Sequence, residues 1–431
     1  MSEGVRLDVT AYLERFRSGF SSQAIPVRKI GREAEYPVVD ADGHAFDVSV
    51  LWRGLMGPGL RPAYGADGQQ IGLDGMRYSY ASEVGKGTIE VITGPRSDLL
   101  HLARDHEEAV ERLVRVAAEH GARVLSMGVQ PQTPPSEALM TPKPRYGVMH
   151  EALGDPWLTF TATASDQTHV DVAGPEIIPT MNLCNLLSPI IIALCANSGV
   201  AAGVDAGVCS WREHSMGTIQ PEHGRHGMPI TPAETLAHHL EMLCELPHLM
   251  DRADGVASLG DGQPFRLFRR ELEPEASWKA FLVHDHYVWH SARPRHRQGT
   301  IEIRCACQQP WQDHMAAAAL ALGIVSGSRE IAQYIQTTLG PEAWTIMRKW
   351  HGEVIQEGLR SPEPAADLIL GVLDRARGAL SGRGRQEASL LEPLYRRLDK
   401  RENPAQRARA LLATDGLAAV IDAASIPAPV E

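Results

Sequence analysis

Five short stretches of the chain alternate apolar and polar positions with the two-residue period of a β-strand. They are Arg32-Glu33-Ala34-Glu35-Tyr36, Ser82-Glu83-Val84, Thr88-Ile89-Glu90-Val91-Ile92, Gln167-Thr168-His169-Val170-Asp171 and Thr300-Ile301-Glu302-Ile303-Arg304. Alternate residues of a strand share a face, so Glu33 stands beside Glu35, Gln167 beside His169 and Asp171, and Glu302 beside Arg304. The opposite faces are apolar enough to pack. A sheet built this way buries one face and lines a polar cleft with the other. Like carboxylates repel, and burial penalises each charge by several kcal/mol. Divalent cations held between the carboxylates would remove that cost.

Other periodicities predict the surrounding elements. Asp8 to Phe20 reads as an amphipathic helix with an aspartate cap, followed by a turn at Asp42-Gly43 and a helix or loop near Leu51. Gly85-Lys86-Gly87 reads as a hairpin between strands near Tyr80–Val84 and Thr88–Thr93, which brings Glu83 close to Glu90. Ser97 is placed to cap a helix running to about His120, with Gly121 as its stop. Strands are expected over Arg123–Val129, Leu158–Val172, Val283–His290 and Thr300–Cys305, and a helix over Asn182–Asn197. Beyond Trp311 the pattern is helical: Gln312–Gln336, Pro341–Leu359, Ala365–Leu380 and Gln386–Ala423. The expected organisation is a catalytic domain over residues 1–340 and a helical C-terminal region over 341–431 packed on it. Those last helices could cap the sheet or carry self-association.

Composition narrows the function classes. Acidic residues outnumber basic ones by 53 to 42, and the basic ones are scattered, which argues against nucleic acid and for small-molecule chemistry. The apolar run Leu186–Ala196 is shorter than the ~20 residues of a bilayer span and contains Pro189, so a buried helix is expected and no membrane partner. Six cysteines are too few for a disulfide scaffold, and no charged-then-apolar leader opens the chain, so a reduced, cytoplasmic setting is expected.

Oxygen ligands with a single imidazole suit Mg²⁺ or Mn²⁺ rather than structural zinc, and such cations point to nucleotide phosphates. Arg304 presents a planar fork that stays charged, suited to a phosphoryl group in transfer. No Gly-x-x-x-x-Gly-Lys-Ser/Thr loop is present, so metals and arginines would hold the phosphates. His284-Asp285-His286 with His290 is a rival zinc triad on an expected strand. Cys305 and Cys307 continue the face of Ile301 and Ile303, away from Glu302, and read as core thiols.

Taken in order, Gly31-Arg32-Glu33-Ala34-Glu35, the Glu83/Glu90 pair, Pro144-Arg145-Tyr146-Gly147, Gln167–Asp171, Ala196-Asn197-Ser198, Arg293-Pro294 and Thr300–Arg304 resemble the glutamate-cysteine ligase family, including its plant-type and actinobacterial members. The likeness covers about Lys29 to Trp311. It implies an α+β, glutamine-synthetase-like fold, in which a curved antiparallel sheet forms a funnel backed by helices. It also implies ATP and Mg²⁺, with Mn²⁺ as the alternative cation. Carried over residue by residue, Glu33, Glu35, Glu83, Glu90, His169 and Glu302 correspond to metal ligands, and Arg304 with Glu302 to the catalytic pair. Arg145, Gln167, Arg212 and Arg293 become candidates to hold amino-acid carboxylates, with Asp171 or a phosphate oxygen as proton acceptor. The implied reaction is amide formation through an acyl phosphate, giving γ-glutamyl-cysteine or a related amide. Cys305–Pro310 and the histidine-rich loop Gly203–Gly227 depart from the family pattern and leave the substrates open, a peptide or specialised metabolite included. A guanidino-kinase-like phosphotransferase and a non-catalytic metabolite-binding homologue are the remaining alternatives.

Overall fold

The computed structural model describes residues 9–65, 67–253, 256–268 and 272–428. Asp8, the expected cap of the first helix, lies outside them; the helix itself, α1, spans Thr10–Arg17. Nine strands make one sheet: β1 (Ile30–Val39), β2 (Leu60–Tyr64), β3 (Gln70–Gly75), β4 (Tyr78–Ser82), β5 (Thr88–Arg96), β6 (Arg123–Val124), β7 (Asp166–Asp171), β8 (Ala292–Arg295) and β9 (Thr300–Ile303). Their order is β8-β9-β7-β1-β5-β4-β3-β2, with β6 pairing the far end of β1, and every pairing is antiparallel. The fold is α+β, an antiparallel sheet backed by helices and completed by a helical C-terminal stretch.

Register aligns the polar faces. Glu33 lies opposite Gln167, Glu35 opposite Glu90, and Glu302 opposite both His169 and Arg293. Directly opposed residues project to the same side, so the acidic positions of three strands and the Gln167 and His169 of a fourth share one face. On the other face Ala34, Tyr36, Val38, Tyr80, Ile89 and Val91 pack against α2 (Leu99–Glu119). That helix presents Ala109, Val110, Leu113, Val116 and Ala117 at the three-and-four spacing of an apolar stripe. Each large aliphatic buried there contributes about 1.5–3 kcal/mol. The cap is Asp98, which accepts from His101 N, not the neighbouring Ser97.

On the other half of the same face, Val170, Ile301 and Ile303 meet α4 (Ile177–Leu186), α5 (Ser188–Cys195) and α9 (Ala316–Ser326). One charged pair is embedded there: Arg32 donates to both carboxylate oxygens of Asp166, at 2.7 and 2.9 Å, and to the His314 carbonyl. The core continues past residue 340 into α11 (Ala343–Glu357), α12 (Ala366–Gly382) and α13 (Glu392–Lys400) without a break in the packing. The last helix, α14 (Pro404–Ala424), lays Val420 and Ile421 against Val39, Leu125 and Met127. All six cysteines are buried, as expected of core thiols.

Four local expectations are corrected. The strand expected over Leu158–Val172 exists only as β7, because Gly154, Asp155 and Pro156 turn the chain into a 3₁₀ segment, Asp155–Thr161. Trp157 and Phe160 of that segment pack in tilted ring contacts against Trp289. Val283–His290 is mostly the end of α8 (Pro274–His286), whose Trp278 and Phe281 pack inward at helical spacing, and only Trp289–His290 is extended. Arg123–Val129 is a strand for two residues only. The Asn182–Asn197 helix begins at Ile177 and bends by 48° between α4 and α5. The edge strand β2 and its neighbour β3 carry Pro62 and Gly72, which mask their period. Among the described residues, no single helix is long and apolar enough to cross a membrane.

Candidate active site

The polar face of the sheet forms the wall of a cavity of about 380 Å³. Glu33, Glu35, Glu83, Glu90, Arg145, Gln167, His169, Arg212, Arg293, Glu302 and Arg304 all line it. Asp171 does not: it sits at the end of β7, where its Oδ2 accepts the Lys29 N–H at 3.0 Å.

The acidic residues divide into two groups of three. Glu33, His169 and Glu302 bring one donor atom each to within 4.8 Å of one another, and Glu35, Glu83 and Glu90 do the same. β1 supplies one member to each group. In the first, His169 Nε2 is buried without a hydrogen bond and stands 3.3 Å from Glu33 Oε1, while Nδ1 lies 3.2 Å from Thr300 Oγ1. An imidazole anchored through one nitrogen and bare at the other, beside carboxylates, is the arrangement of a metal ligand. Burial raises the Glu33 carboxyl, but His169 outweighs it and holds the group below the usual range. The His169 ring is raised in turn, Glu33 and Glu302 overcoming burial.

The second group is carboxylate only. Burial drives Glu90 well above its ordinary range, reinforced by Glu33, Glu83 and Glu35. Burial and the Glu83 charge push Glu35 up to about 7. Its oxygens accept from Ser165 N at 2.6 Å and Gln167 Nε2 at 3.1 Å. Three carboxylates that repel one another, Glu35 and Glu90 buried and Glu83 half-buried, fit a hard divalent cation, which would substitute its charge for their protons.

Glu302 is bound from three sides. Arg293 Nε approaches Oε2 at 2.5 Å, Arg295 Nε stands at 3.5 Å, and Arg304 donates to Oε1. Burial opposes ionisation, yet Arg293 and Arg304 hold this carboxyl well below the usual range. Arg304 also donates to Gln167 Oε1, so it is held between β9 and β7. Arg293 Nη2 donates to Glu302 Oε1 at 3.3 Å, and Nη1 to the carbonyls of His286 and Val288, at 2.8 and 2.7 Å. Arg293 therefore orients Glu302 and the loop behind it. Arg212 pairs with Glu213. Arg145, opening α3 (Pro144–Leu153), stacks on Tyr146 and keeps a buried Nε with no hydrogen bond, which leaves it available to an anion.

Two lining cations escaped the sequence reading. Lys143 donates to the Ser82 carbonyl at 2.6 Å, and burial lowers its ammonium to about 8 against the pull of Glu83. Arg295 is two residues past Arg293 on the same strand face, a spacing that could have found it. The rival zinc triad is dispersed: His284 Nε2 lies 2.8 Å from the Leu243 carbonyl and His290 Nε2 lies 3.0 Å from that of Gly224, on different elements.

Known proteins resemble this chain in sequence and in fold. A relative from Mycolicibacterium vanbaalenii, provisionally named glutamate–cysteine ligase 2-2, is 35% identical over 318 residues, 69% of this chain and 74% of that one. Another from Rubrobacter xylanophilus, provisionally named glutamate–cysteine ligase 2-3, is 27% identical over 253 residues and aligns over only 59% of its own length. Among solved structures, the glutamate–cysteine ligase of Francisella tularensis, determined with AMP, matches with a TM-score of 0.53 at 11% identity, over 94% of this chain and 88% of that one. The bifunctional glutathione synthetase of Pasteurella multocida matches at 0.54 and 13% identity over 96% of this chain, which spans about half (52%) of that protein. At such identities these two likenesses concern the fold. The model of glutamate-cysteine ligase family 2 matches residues 30–423, nearly the whole chain, and the chain belongs to that family.

Proposed function

We propose that this chain is an ATP-dependent carboxylate–amine ligase that makes γ-glutamyl-cysteine or a related γ-glutamyl or aminoacyl amide. The observation that carries the reading is the pair of three-ligand groups on one strand floor, with Arg304 bridging β9 and β7 beside them. Cations held by Glu33, His169 and Glu302 and by Glu35, Glu83 and Glu90 would supply charge screening between a nucleotide γ-phosphate and a substrate carboxylate.

A carboxylate is a poor electrophile. On this reading its oxygen attacks the γ-phosphorus, the bond to the β-phosphate oxygen breaks, and ADP leaves. The amine then attacks the acyl phosphate carbon, the carbon–oxygen bond breaks, and phosphate departs with the electron pair. Arg304, fixed by Gln167 and Glu302, is placed to stabilise charge on the phosphoryl group and on the tetrahedral intermediate. Arg145 and Arg212 each keep a buried Nε without a hydrogen bond, and because Arg212 is paired with Glu213, Arg145 is the better placed of the two to hold a non-reacting carboxylate. Because Asp171 lies outside the lining, the amine proton is assigned to an oxygen of the departing phosphate.

The test is release of ADP and free phosphate from ATP and Mg²⁺ with glutamate and other carboxylates, each with and without cysteine and other amines, with product masses. Release that needs both partners and yields an amide mass supports the ligase. Phosphate retained on the acceptor would replace the reading with a phosphotransferase, and nucleotide binding without turnover under any pair would replace it with a binding protein.

A further inference from the structure

The cavity has an antechamber. Arg145 and Arg295 border both the main cavity and a second space of about 350 Å³, walled by α8, the strand Met250–Ala253 and the turn between β8 and β9. Its charged lining is Arg145, Arg252, Lys279, Arg295 and Arg297, against Asp285 alone. Asp285 is buried and already faces Arg295 at 3.9 Å. Five cations to one acid reverse the balance of a chain with 53 acidic and 42 basic residues. The cations also run outward in exposure: Arg293 is buried, Arg145 and Arg295 are partly buried, and Arg252, Lys279 and Arg297 are exposed. This is a positive path from solvent to Glu302, the arrangement that draws an anion inward.

The chemistry of the lining selects the anion. The metal-ligating carboxylates all lie in the main cavity, where cation-borne phosphates would go, and the antechamber has guanidinium and ammonium groups without such ligands. Guanidinium forks match carboxylates directly. A lone dicarboxylic amino acid such as glutamate has one non-reacting carboxylate, which Arg145 alone could hold. We infer that the antechamber receives the additional carboxylates of an oligo-anionic acid, such as a short acidic peptide, whose reacting carboxylate lies beside Arg304. This deepens the ligase reading and rests on it.

Calorimetry of the full chain with glutamate and with triglutamate, without nucleotide, tests the site. Triglutamate should bind about tenfold more tightly than glutamate, and the Arg252→Ala/Lys279→Ala/Arg297→Ala variant should bring that ratio close to one. Equal affinities in the unmodified protein, or an unchanged ratio in the variant, would overturn the inference. Parallel phosphate-release assays separate the two claims. Turnover of glutamate without any preference for triglutamate removes the antechamber alone. Triglutamate binding with no ADP released under any amine removes the ligase reading, and the substrate assignment with it.

Discussion

Glu302 serves two sets of partners, a prospective cation with Glu33 and His169 and three guanidinium groups on its other sides. Replacing it has a structural cost that replacing Arg304 does not. Glu302→Gln leaves buried Arg293 without its counter-charge, and uncompensated buried charge costs roughly 3–5 kcal/mol; urea unfolding should show the loss. Arg304→Ala should leave that midpoint nearly unchanged while turnover falls by about 10²–10³-fold, the usual effect of deleting a preorganised donor. Glu35 gives a second expectation. Its carboxyl rises from 4.5 to about 7 on folding, so between those values the folded, cation-free chain keeps a proton that the unfolded chain has released. Stability from this group is present at low pH and is lost as pH rises through that window. A divalent cation replaces the proton. Mg²⁺ or Mn²⁺ should therefore raise the melting temperature more at pH 8 than at pH 5, and equal increments would contradict the assignment.

At the scale of elements, the hairpin between β4 and β5 carries Glu83 and Glu90 and depends on Gly85. A Cβ there would meet the Thr161 carbonyl oxygen at 1.8 Å, whereas at Gly31 on β1 the nearest atom would be 3.6 Å away. Gly85→Ala should cost about 1–3 kcal/mol and weaken cation binding, while Gly31→Ala should be tolerated; thermal melts with and without Mn²⁺ distinguish the two. The strands that carry the acidic groups were legible in the sequence because a charge at every second position among β-branched residues suits a half-buried strand and scatters around a helix. The hairpin glycines, the long helix after Asp98 and the C-terminal helices were legible for similar reasons of spacing. What stayed hidden depended on tertiary contacts. Trp157 and Phe160 leave a strand-like pattern to join an aromatic cluster, and α8 has polar residues on both faces because one borders a basic cavity. Pairwise commitments were equally invisible: Arg293 looks like a substrate ligand until its neighbours are seen to occupy it, and Arg212 is tied to Glu213 while its Nε keeps no partner.

Across the whole molecule, one core joins the sheet to the C-terminal helices, and α14 adds Val420 and Ile421 beside β1, with Ile426 N donating to the Val124 carbonyl at 2.9 Å. Buried histidines are spread through this body. Burial lowers His239 to about 3, and His290, His314 and His351 to about 4. Each is neutral in the folded chain where the unfolded chain already binds a proton, so stability present above 6.5 is lost as pH falls toward 4. The urea midpoint should drop across that interval, and His351→Gln should make the drop shallower; a flat profile would show that these rings are not held neutral.

The two acidic groups hang from a single strand, one on Glu33 and the other on Glu35. One pleat repeat of about 6.8 Å thus acts as a ruler that neither group can adjust alone. Inserting one residue between them would turn Glu35 and all that follows toward the helices while Glu33 stayed where it is. On the proposed reading, a cation on Glu33, His169 and Glu302 would keep its ligands while one on Glu35, Glu83 and Glu90 would lose a ligand, so a single insertion would abolish the fixed spacing between the two charges.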